Sequence, residues 1–549
     1  MRHLPRRLAT ATITLGLVLS ACSTEAAVTD DASMEEAEDD ADESTDDAMV
    51  SEGSSAVTAQ GESGAQDMAD AESAAPPSAT SGVTGSDGES ADIARPVDPQ
   101  VRFEEAPPEV APPGISPFVV TSEDSLSTFA LDVDTSSWTQ TMQWLENGQR
   151  PPRDIVRPEE FLNWFDYGYE QPDEGWRSSI DGVIATPWNP ETSLLRIGLT
   201  TAGLDPDERP DATLTFVVDT SGSMQGTPLD TVKQALTLLV EQLRPTDRIG
   251  LVEYGSRART ILEPTRLGEA EVVLDAIDAL QSNGSTNVGE GLQVGYDLAR
   301  RNLTPGGIDV VVLASDGVAN VGTTDADGIL GLIDEGVESG IDLLALGVDE
   351  QGYNDDLMES LSNRGNGTTY YLRSPQDAER LFVDELEQTL VVAARDSKVQ
   401  VAFDADTVRR YRLVGYDNRA VADEDFRNDA VDAGEVGVGH EVTAVYEVEL
   451  VAGAAGNDVL GTLQLRWEDP FEGRVREAAR DITVGELEPD AATGFGTAVQ
   501  AVTLAEVLRG SPYVDVSLPS LAAFDDWGTS SEATDAIRMA AEALPAPGE

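Results

Sequence analysis

Between residues 211 and 395, short apolar runs alternate with segments in which apolar residues recur at every third or fourth position. The first run, 214–218 (LTFVV), is rich in β-branched and aromatic residues, which indicates a buried strand. The segment after it carries apolar residues at helical spacing, namely Leu229, Val232, Leu236, Leu239, Val240 and Leu243. Strands that alternate with helices are typical of a parallel sheet covered on both faces. We therefore predict a doubly wound α/β domain over residues 211–395.

The same criteria predict the other elements of this domain. Further strands are expected at 248–254, 258–262 (a short edge strand), 309–314, 343–348 and 369–372. Helices are expected at 227–243, 269–280, 287–301 and 354–363, followed by one long final helix over 375–394. Thr227 and Pro228 are expected to cap the first of these helices.

A small α+β domain is predicted over residues 118–178. A strand near 128–133 is followed by apolar residues at i, i+4 and i+7, which indicates a helix carrying Trp138, Met142 and Leu145. Pro158 is expected to begin a second helix. Asp132 lies at the end of the predicted strand and Asp134 directly follows it. We expect Asp132 to be a strand-end residue and Asp134 to be the N-cap of the first helix, rather than metal ligands.

Period-two patterning surrounds the α/β domain. Residues 179–210 form a strand-like segment, and residues 396–486 alternate apolar and polar positions as antiparallel strands do. Residues 487–549 are predicted to be helical. Because domain termini are usually close together, the α/β domain is interpreted as an insertion into one β unit.

The N-terminus has the pattern of an export signal. Two arginines, Arg6 and Arg7, precede a mostly apolar stretch from Leu8 to Leu19, and Cys22 is the single cysteine of the chain. Leu19-Ser20-Ala21-Cys22 resembles the lipobox of bacterial lipoproteins, which implies a signal peptide over 1–21 and lipidation of Cys22. Residues 22–117 are expected to be a disordered acidic and Pro-rich linker, because 23–94 contain no Lys or Arg and twenty Asp or Glu.

Charge and composition exclude several functions. The net charge of −67 opposes binding to nucleic acid phosphates. Once the signal is removed, His440 is the remaining histidine, so the chain offers a single side chain for His-based acid–base catalysis. No GxxxxGK[ST] phosphate loop occurs. We therefore expect a protein that is not an enzyme.

Oxygen-bearing side chains cluster at the ends of two predicted strands. Asp219, Ser221 and Ser223 follow the first strand, and Asp316 follows the strand at 309–314. Thr286 lies between them, just before a predicted helix. Carboxylate and hydroxyl oxygens suit Mg²⁺, which prefers octahedral oxygen coordination.

This set, in this order and spacing, resembles the metal-ion-dependent adhesion site of von Willebrand factor type A (VWA) domains. The resemblance implies that Asp219, Ser221, Ser223, Thr286 and Asp316 hold Mg²⁺, with Mn²⁺ or Ca²⁺ as alternatives. It also implies strand order 3-2-1-4-5-6, in which the strands ending near Asp219 and Asp316 are neighbours at the topological switch point. The ligand of such a site would be an unidentified protein that supplies an Asp or Glu.

The flanking segments carry a second resemblance. Residues from about 118 to 170 and residues 432–448 are similar to the domains that accompany VWA in a family of bacterial surface lipoproteins. Together these resemblances imply a lipid-anchored protein on the extracytoplasmic side of the cell membrane that binds a protein partner and no nucleic acid. Two other hypotheses stay open: an envelope scaffold in which the metal is purely structural, and an accessory subunit of an enzyme.

Overall fold

The computed structural model describes residues 114–205, 208–317, 326–348, 355–470 and 472–544. The predicted signal segment, Cys22 and nearly all of the predicted acidic linker lie outside these residues. The described strands are β1 (Val119–Val120), β2 (Leu126–Ala130), β3 (Trp176–Val183), β4 (Ser193–Thr201), β5 (Ala212–Asp219), β6 (Arg248–Tyr254), β7 (Ala258–Arg266), β8 (Ile308–Ser315), β9 (Asp342–Gly347), β10 (Thr369–Tyr371), β11 (Val392–Phe403), β12 (Val408–Val414), β13 (Gly434–Gly437), β14 (Glu441–Leu450), β15 (Val459–Asp469) and β16 (Arg474–Thr483).

The described helices follow the same chain order. They are α1 (Ser136–Glu146), α2 (Pro158–Asn163), α3 (Thr227–Gln242), α4 (Ala270–Asp278), α5 (Val288–Arg301), α6 (Ala326–Val337), α7 (Asp355–Arg364), α8 (Pro375–Glu379), α9 (Leu386–Leu390), α10 (Phe495–Arg509), α11 (Leu518–Ala522) and α12 (Ser531–Ala543). No helix within the described ranges has both the length and the apolar character needed to cross a bilayer.

The middle of the chain forms a six-stranded sheet in the order β10-β9-β8-β5-β6-β7. All its pairs are parallel except the one between β6 and the edge strand β7. Numbered within the domain, this is the order 3-2-1-4-5-6, so the predicted VWA-like α/β fold is confirmed. Alternate residues of β5 face opposite ways, with Phe216 in the core beside α3 and Val217 in the core beside α5, so both faces of the sheet are covered.

The chain on both sides of this domain builds two shared antiparallel sheets. One sheet has the order β1-β12-β14-β4-β3, and the other has β13-β11-β15-β16 with β2 paired to β11. Strand β4 precedes the α/β domain and β14 follows it, yet they pair from Ser193–Val448 to Thr200–Glu441. A common core lies between the sheets and includes Ile197 and Tyr446. We call the described residues within 114–205 and 392–544 the flanking module.

Five helices complete the flanking module on one side. Trp138 of α1 packs edge-on against Phe161 of α2, with 5.2 Å between ring centroids. Helix α10 is buried on nearly all sides and joins the same core. Its Glu506 accepts a bond of 2.8 Å from Arg412, whose guanidinium also contacts Glu447 at 3.0 Å.

Buried polar contacts join the flanking module to the α/β domain. Arg419 contacts Asp132 at 3.2 Å and Asp134 at 3.1 Å, and it also donates to Asn363 of α7 at 2.9 Å. Arg157 pairs with Glu359 of α7 at 2.9 Å. These charges are largely out of water, so removing one partner leaves a costly buried charge and the contacts tie α7 firmly to the module.

The predicted role of Asp134 as a helix cap is wrong. The cap position of α1 is Thr135, whose side chain makes no capping hydrogen bond. Asp134 instead accepts from the amide of Thr369 in β10 at 2.8 Å and pairs with Arg419. Its carboxylate is therefore used for domain contact, and the buried start of α1 is bonded by Glu160 instead, which accepts from the Ser137 amide at 2.7 Å. Similarly, Thr227 is the first residue of α3, and Gly226 is the cap residue.

The long final helix predicted over 375–394 is also wrong. Helix α8 gives way to a π-helical segment at Arg380–Asp384, and α9 ends at Leu390. Strand β11 begins two residues later and pairs Val392 with Gly437 and Ala394 with Val436 of β13. The run 391–394 (VVAA) is apolar enough for either structure, and pairing with β13 makes it a strand.

Candidate metal centre

Two neighbouring strands deliver carboxylates to one edge of the α/β sheet. Strands β5 and β8 are parallel and pair Val218 with Ala314. Asp219 ends β5, and Asp316 follows the last residue of β8. The next strands in sequence, β6 and β7, lie on one side of β5, whereas β8 lies on its other side. The ends of β5 and β8 therefore form the topological switch point, where such sheets bind ligands.

The loop after β5 is held by its own polar groups. The amide of Ser221 donates to Asp219 Oδ1 at 2.8 Å, which turns the chain back over the carboxylate. The hydroxyl oxygens of Ser221 and Ser223 lie 3.0 Å apart and share a hydrogen bond. Ser221 is buried whereas Ser223 is exposed. The two hydroxyls therefore point to one spot, with its outer side open to solvent.

The loop that carries Thr286 lies directly on the loop after β5. The amide of Asn283 donates to the carbonyl of Thr220 at 2.5 Å, and the amide of Gly222 donates to the carbonyl of Gly284 at 3.0 Å. Thr286 is fully buried between these bonds and the start of α5. Asn287 caps α5 by accepting from the Glu290 amide at 3.2 Å, which fixes the loop to the helix.

Two glycines permit this close approach of loops. Gly284 has φ of 89°, and a Cβ at this position would lie 2.5 Å from Ser256 Oγ. A Cβ on Gly255 would lie 2.5 Å from the carbonyl oxygen of Asn283. A side chain at either position would push the Thr286 loop away from Asp219.

The two carboxylates lie close enough to repel each other. Burial raises the pKa of Asp219 to about 6, the Ser221 amide acts against this shift, and repulsion by Asp316 adds to it. Ser315 donates to Asp219 Oδ2 at 2.9 Å and accepts from the Gly317 amide at 3.1 Å. None of the influences named on Asp219 is a cationic side chain, so a bound cation would relieve the repulsion.

The structure brings all five predicted residues to this edge, on three adjoining loops. They are Asp219, Ser221, Ser223, Thr286 and Asp316. Their donors are two carboxylates and three hydroxyls, a set of oxygens alone, which suits Mg²⁺ better than a softer metal. The described part of the chain contains no group of three or more His, Cys, Asp and Glu arranged for a metal. A metal here would thus depend on the hydroxyls.

Three further residues support the site and were missed from sequence. Ser315 orients Asp219, Thr220 donates to the carbonyl of Tyr254 at 2.9 Å, and Ser256 Oγ accepts from the Ser285 amide at 3.0 Å. The sequence could have suggested this role for Ser315, since it immediately precedes Asp316 at a strand end. His440 lies in the flanking module, between β13 and β14.

Comparison with known families divides the chain into three matched regions. The von Willebrand factor type A domain model matches residues 213–384. The model described as von Willebrand factor matches residues 113–196. The model described as uncharacterized protein YfbK, C-terminal, matches residues 388–543.

Individual proteins give the same result. The uncharacterized protein YfbK of Escherichia coli (strain K12) is 32% identical over 431 residues, which cover 73% of this chain and 74% of YfbK. The uncharacterized protein sll0103 of Synechocystis sp. is 25% identical over 285 residues, 51% of this chain and 67% of its own. A solved von Willebrand factor type A structure from Catenulispora acidiphila is 14% identical, with TM-score 0.39, covering 62% of this chain and 81% of that one. The likeness to YfbK and the matched family models show that the chain belongs to the YfbK family, with a VWA domain and a YfbK-type C-terminal domain.

Proposed function

We propose that this protein binds a divalent cation, Mg²⁺ in the first instance, at the edge formed by β5 and β8 and uses it to hold a protein partner. The observation that carries the proposal is the convergence of Asp219, Ser221, Ser223, Thr286 and Asp316 on three adjoining loops. The carboxylates and hydroxyls of these residues would be the protein ligands of the ion, directly or through water. Mn²⁺ and Ca²⁺ are the alternatives.

The chemistry of the donors favours an acidic ligand on the partner. Hydroxyls are neutral, so a cation held by three hydroxyls and two carboxylates retains affinity for a further anionic oxygen. The exposed position of Ser223 leaves the outer side of the site accessible. A carboxylate from an Asp or Glu of the partner fits this need, because hard cations prefer charged oxygen ligands.

Anchoring is the second part of the proposal. Lipidation of Cys22 would hold the protein on the extracytoplasmic side of the cell membrane, with residues 22–117 as a spacer. The many carboxylates of that spacer would be repelled by an anionic membrane surface, which favours a site held away from the membrane.

Metal binding is tested with single variants of the ligands. Asp219→Ala and Thr286→Ala should each abolish Mg²⁺ binding at this site, seen in calorimetry as the loss of the heat of this one site, and leave the far-UV circular dichroism spectrum unchanged, since both side chains lie at strand and loop ends. Thr227→Ala is the matched control, because it removes an exposed hydroxyl from the start of α3 nearby. Unchanged affinity in both ligand variants would refute the site.

Partner binding is tested separately. The wild-type chain, immobilised with Mg²⁺, should retain a protein that chelator releases and that the Asp219→Ala chain does not retain. Replacing one acidic residue of that protein by its amide should abolish the complex. If metal removal lowers only the unfolding temperature and leaves capture unchanged, the metal is structural and the scaffold hypothesis replaces this proposal.

A further inference from the structure

A second polar cavity lies between the α/β domain and the flanking module, on residues that the metal centre does not use. Its volume is about 220 Å³. Asn363, near the end of α7, lines it from the α/β domain, and Asn418, Arg419, Asp432 and Glu435 line it from the flanking module. Asp432 is exposed, so the cavity opens to solvent beside this residue.

Glu435 is the unusual residue of this cavity. It lies in β13, and its exposed fraction is 9%. Within the described part of the chain, its carboxylate receives no hydrogen bond and forms no ion pair. A buried carboxylate without a partner is strongly unfavourable, and in most proteins such a group is hydrogen-bonded or binds a cation.

Other carboxylates surround Glu435. Burial raises its pKa well above the ordinary value, and repulsion by Asp432, Asp396 and Asp342 follows in that order. Repulsion of this kind requires proximity, so four acidic groups from β9, the start of β11 and the 432–435 segment share one region. The cation Arg395 acts in the opposite direction on the pKa of Glu435.

The cationic side chains nearby are already engaged, including Arg419, which lines the cavity and pairs with Asp132 and Asp134. Arg395 Nη2 contacts both carboxylate oxygens of Asp342, at 3.0 and 3.1 Å. Arg364 Nη2 donates to Asp334 at 2.9 Å. Lys398 donates to the carbonyl of Asn428 at 2.8 Å. These contacts leave Glu435 and Asp432 uncompensated by a cationic partner in direct contact.

The cavity has room for one hydrated ion. Six waters at about 30 Å³ each occupy about 180 Å³. Mg²⁺ commonly keeps several of its waters and uses only one or two carboxylates. That mode agrees with the described residues, which hold no group of three or more acidic, His or Cys side chains arranged for direct ligation. Asn418 donates through Nδ2 to Glu359 at 2.8 Å, so its carbonyl oxygen is the end that can accept from ion-bound water.

We propose that this cavity binds a hydrated divalent cation, Mg²⁺ or its analogue Mn²⁺, through the carboxylates of Glu435 and Asp432. The ion joins the α/β domain to the flanking module, because Asn363 on α7 faces the same cavity as the two carboxylates. This site is separate from the one at Asp219 and does not depend on it.

Mn²⁺ titration followed by electron paramagnetic resonance tests the proposal on the full chain. The Asp219→Ala variant, which lacks the adhesion-type site, should still bind one Mn²⁺ per chain. Adding Glu435→Gln should weaken that binding about tenfold or more, because removal of a carboxylate that holds the metal or its waters has effects of this size. Glu424→Gln is the matched control, since it removes an exposed carboxylate from the neighbouring turn Asp423–Asp425.

Asp432→Asn provides a second variant in case Glu435→Gln does not fold, and it should weaken binding in the same direction. The proposal is overturned if the Asp219→Ala chain binds no Mn²⁺, or if both cavity variants bind as tightly as their Asp219→Ala parent. Single variants distinguish the two sites. If Glu435→Gln alone removes all Mn²⁺ binding from the wild-type chain, the adhesion-type site is contradicted. If Asp219→Ala alone removes all of it, the cavity site is contradicted.

Discussion

Glu159 should make the stability of the flanking module depend on pH. It lies in the first turn of α2, is almost fully buried and accepts a hydrogen bond of 2.9 Å from the Tyr416 amide. Burial raises its pKa from 4.5 to about 7, and repulsion by Asp132 adds to the shift, while the Tyr416 amide opposes it. Glu159→Gln removes the titration and keeps the shape of the protonated acid.

The sign of the effect follows from the protons bound by each state. Between pH 4.5 and 7 the folded chain keeps the proton of Glu159 while the unfolded chain has lost it. The stability contributed by the protonated form is therefore complete below pH 4.5 and is lost as the pH rises to 7. With 1.36 kcal/mol per pKa unit, the loss is about 3 kcal/mol.

The glutamine variant should behave differently at the two ends of this range. Its amide oxygen can still accept from Tyr416, so at pH 5 its free energy of unfolding should be close to that of wild type. At pH 8 the wild-type carboxylate is charged and buried, whereas glutamine is neutral. The variant should then be more stable by up to about 3 kcal/mol.

Urea unfolding monitored by tryptophan fluorescence measures this difference. Trp138 is a suitable probe, because it packs on Phe161 two residues beyond Glu159. Asp154→Asn, which changes an exposed carboxyl in the same region, should show no such pH-dependent gain. A Glu159→Gln variant that differs from wild type by the same amount at pH 5 and pH 8 would refute the reasoning.

Three further predictions concern other parts of the chain. Arg412→Met should reduce the free energy of unfolding by about 3–5 kcal/mol in urea, because Glu447 and Glu506 would remain buried without their cation. Gly295→Ala should lower stability by about 1–3 kcal/mol and should also lower Mn²⁺ affinity, since the new Cβ would lie 2.3 Å from Val217 and displace α5. Calorimetry with and without metal measures both quantities, and an unchanged Mn²⁺ affinity would contradict the link between α5 and the metal site. Cys22→Ser should move the protein from the membrane fraction to the soluble fraction after cell disruption, and a variant that stays with the membrane would refute the anchor.

The α/β sheet was predictable because its signals are local. Each strand is a short apolar run and each helix has its own apolar stripe, so order and type follow from nearby residues. The meeting of Asp219 and Asp316 was also predictable, because they stand at the ends of strands whose parallel pairing brings these ends together. The choice of Ser221, Ser223 and Thr286 as further candidate ligands came from the resemblance to VWA domains.

The errors came from contacts between distant residues. Asp134 has the sequence of a helix cap, but its partners are Thr369 and Arg419. The run at 391–394 has no periodicity that distinguishes helix from strand, and β13 decides the outcome. Glu159 follows Pro158 as an ordinary helix-start residue would, and nothing near it in sequence indicates that its carboxylate is buried and accepts from the Tyr416 amide. No local pattern contains this information.

The insertion of the α/β domain has a consequence for the order of assembly. All strands of its sheet come from one continuous stretch, so this sheet can form as soon as that stretch has left the ribosome. Strand β4, by contrast, leaves much earlier than β14, its partner across the inserted domain. The flanking sheet therefore closes late, because its pairing is long-range in sequence. Until then β4 presents an open edge, so chains truncated before β14 should aggregate even when their α/β domain is correctly folded.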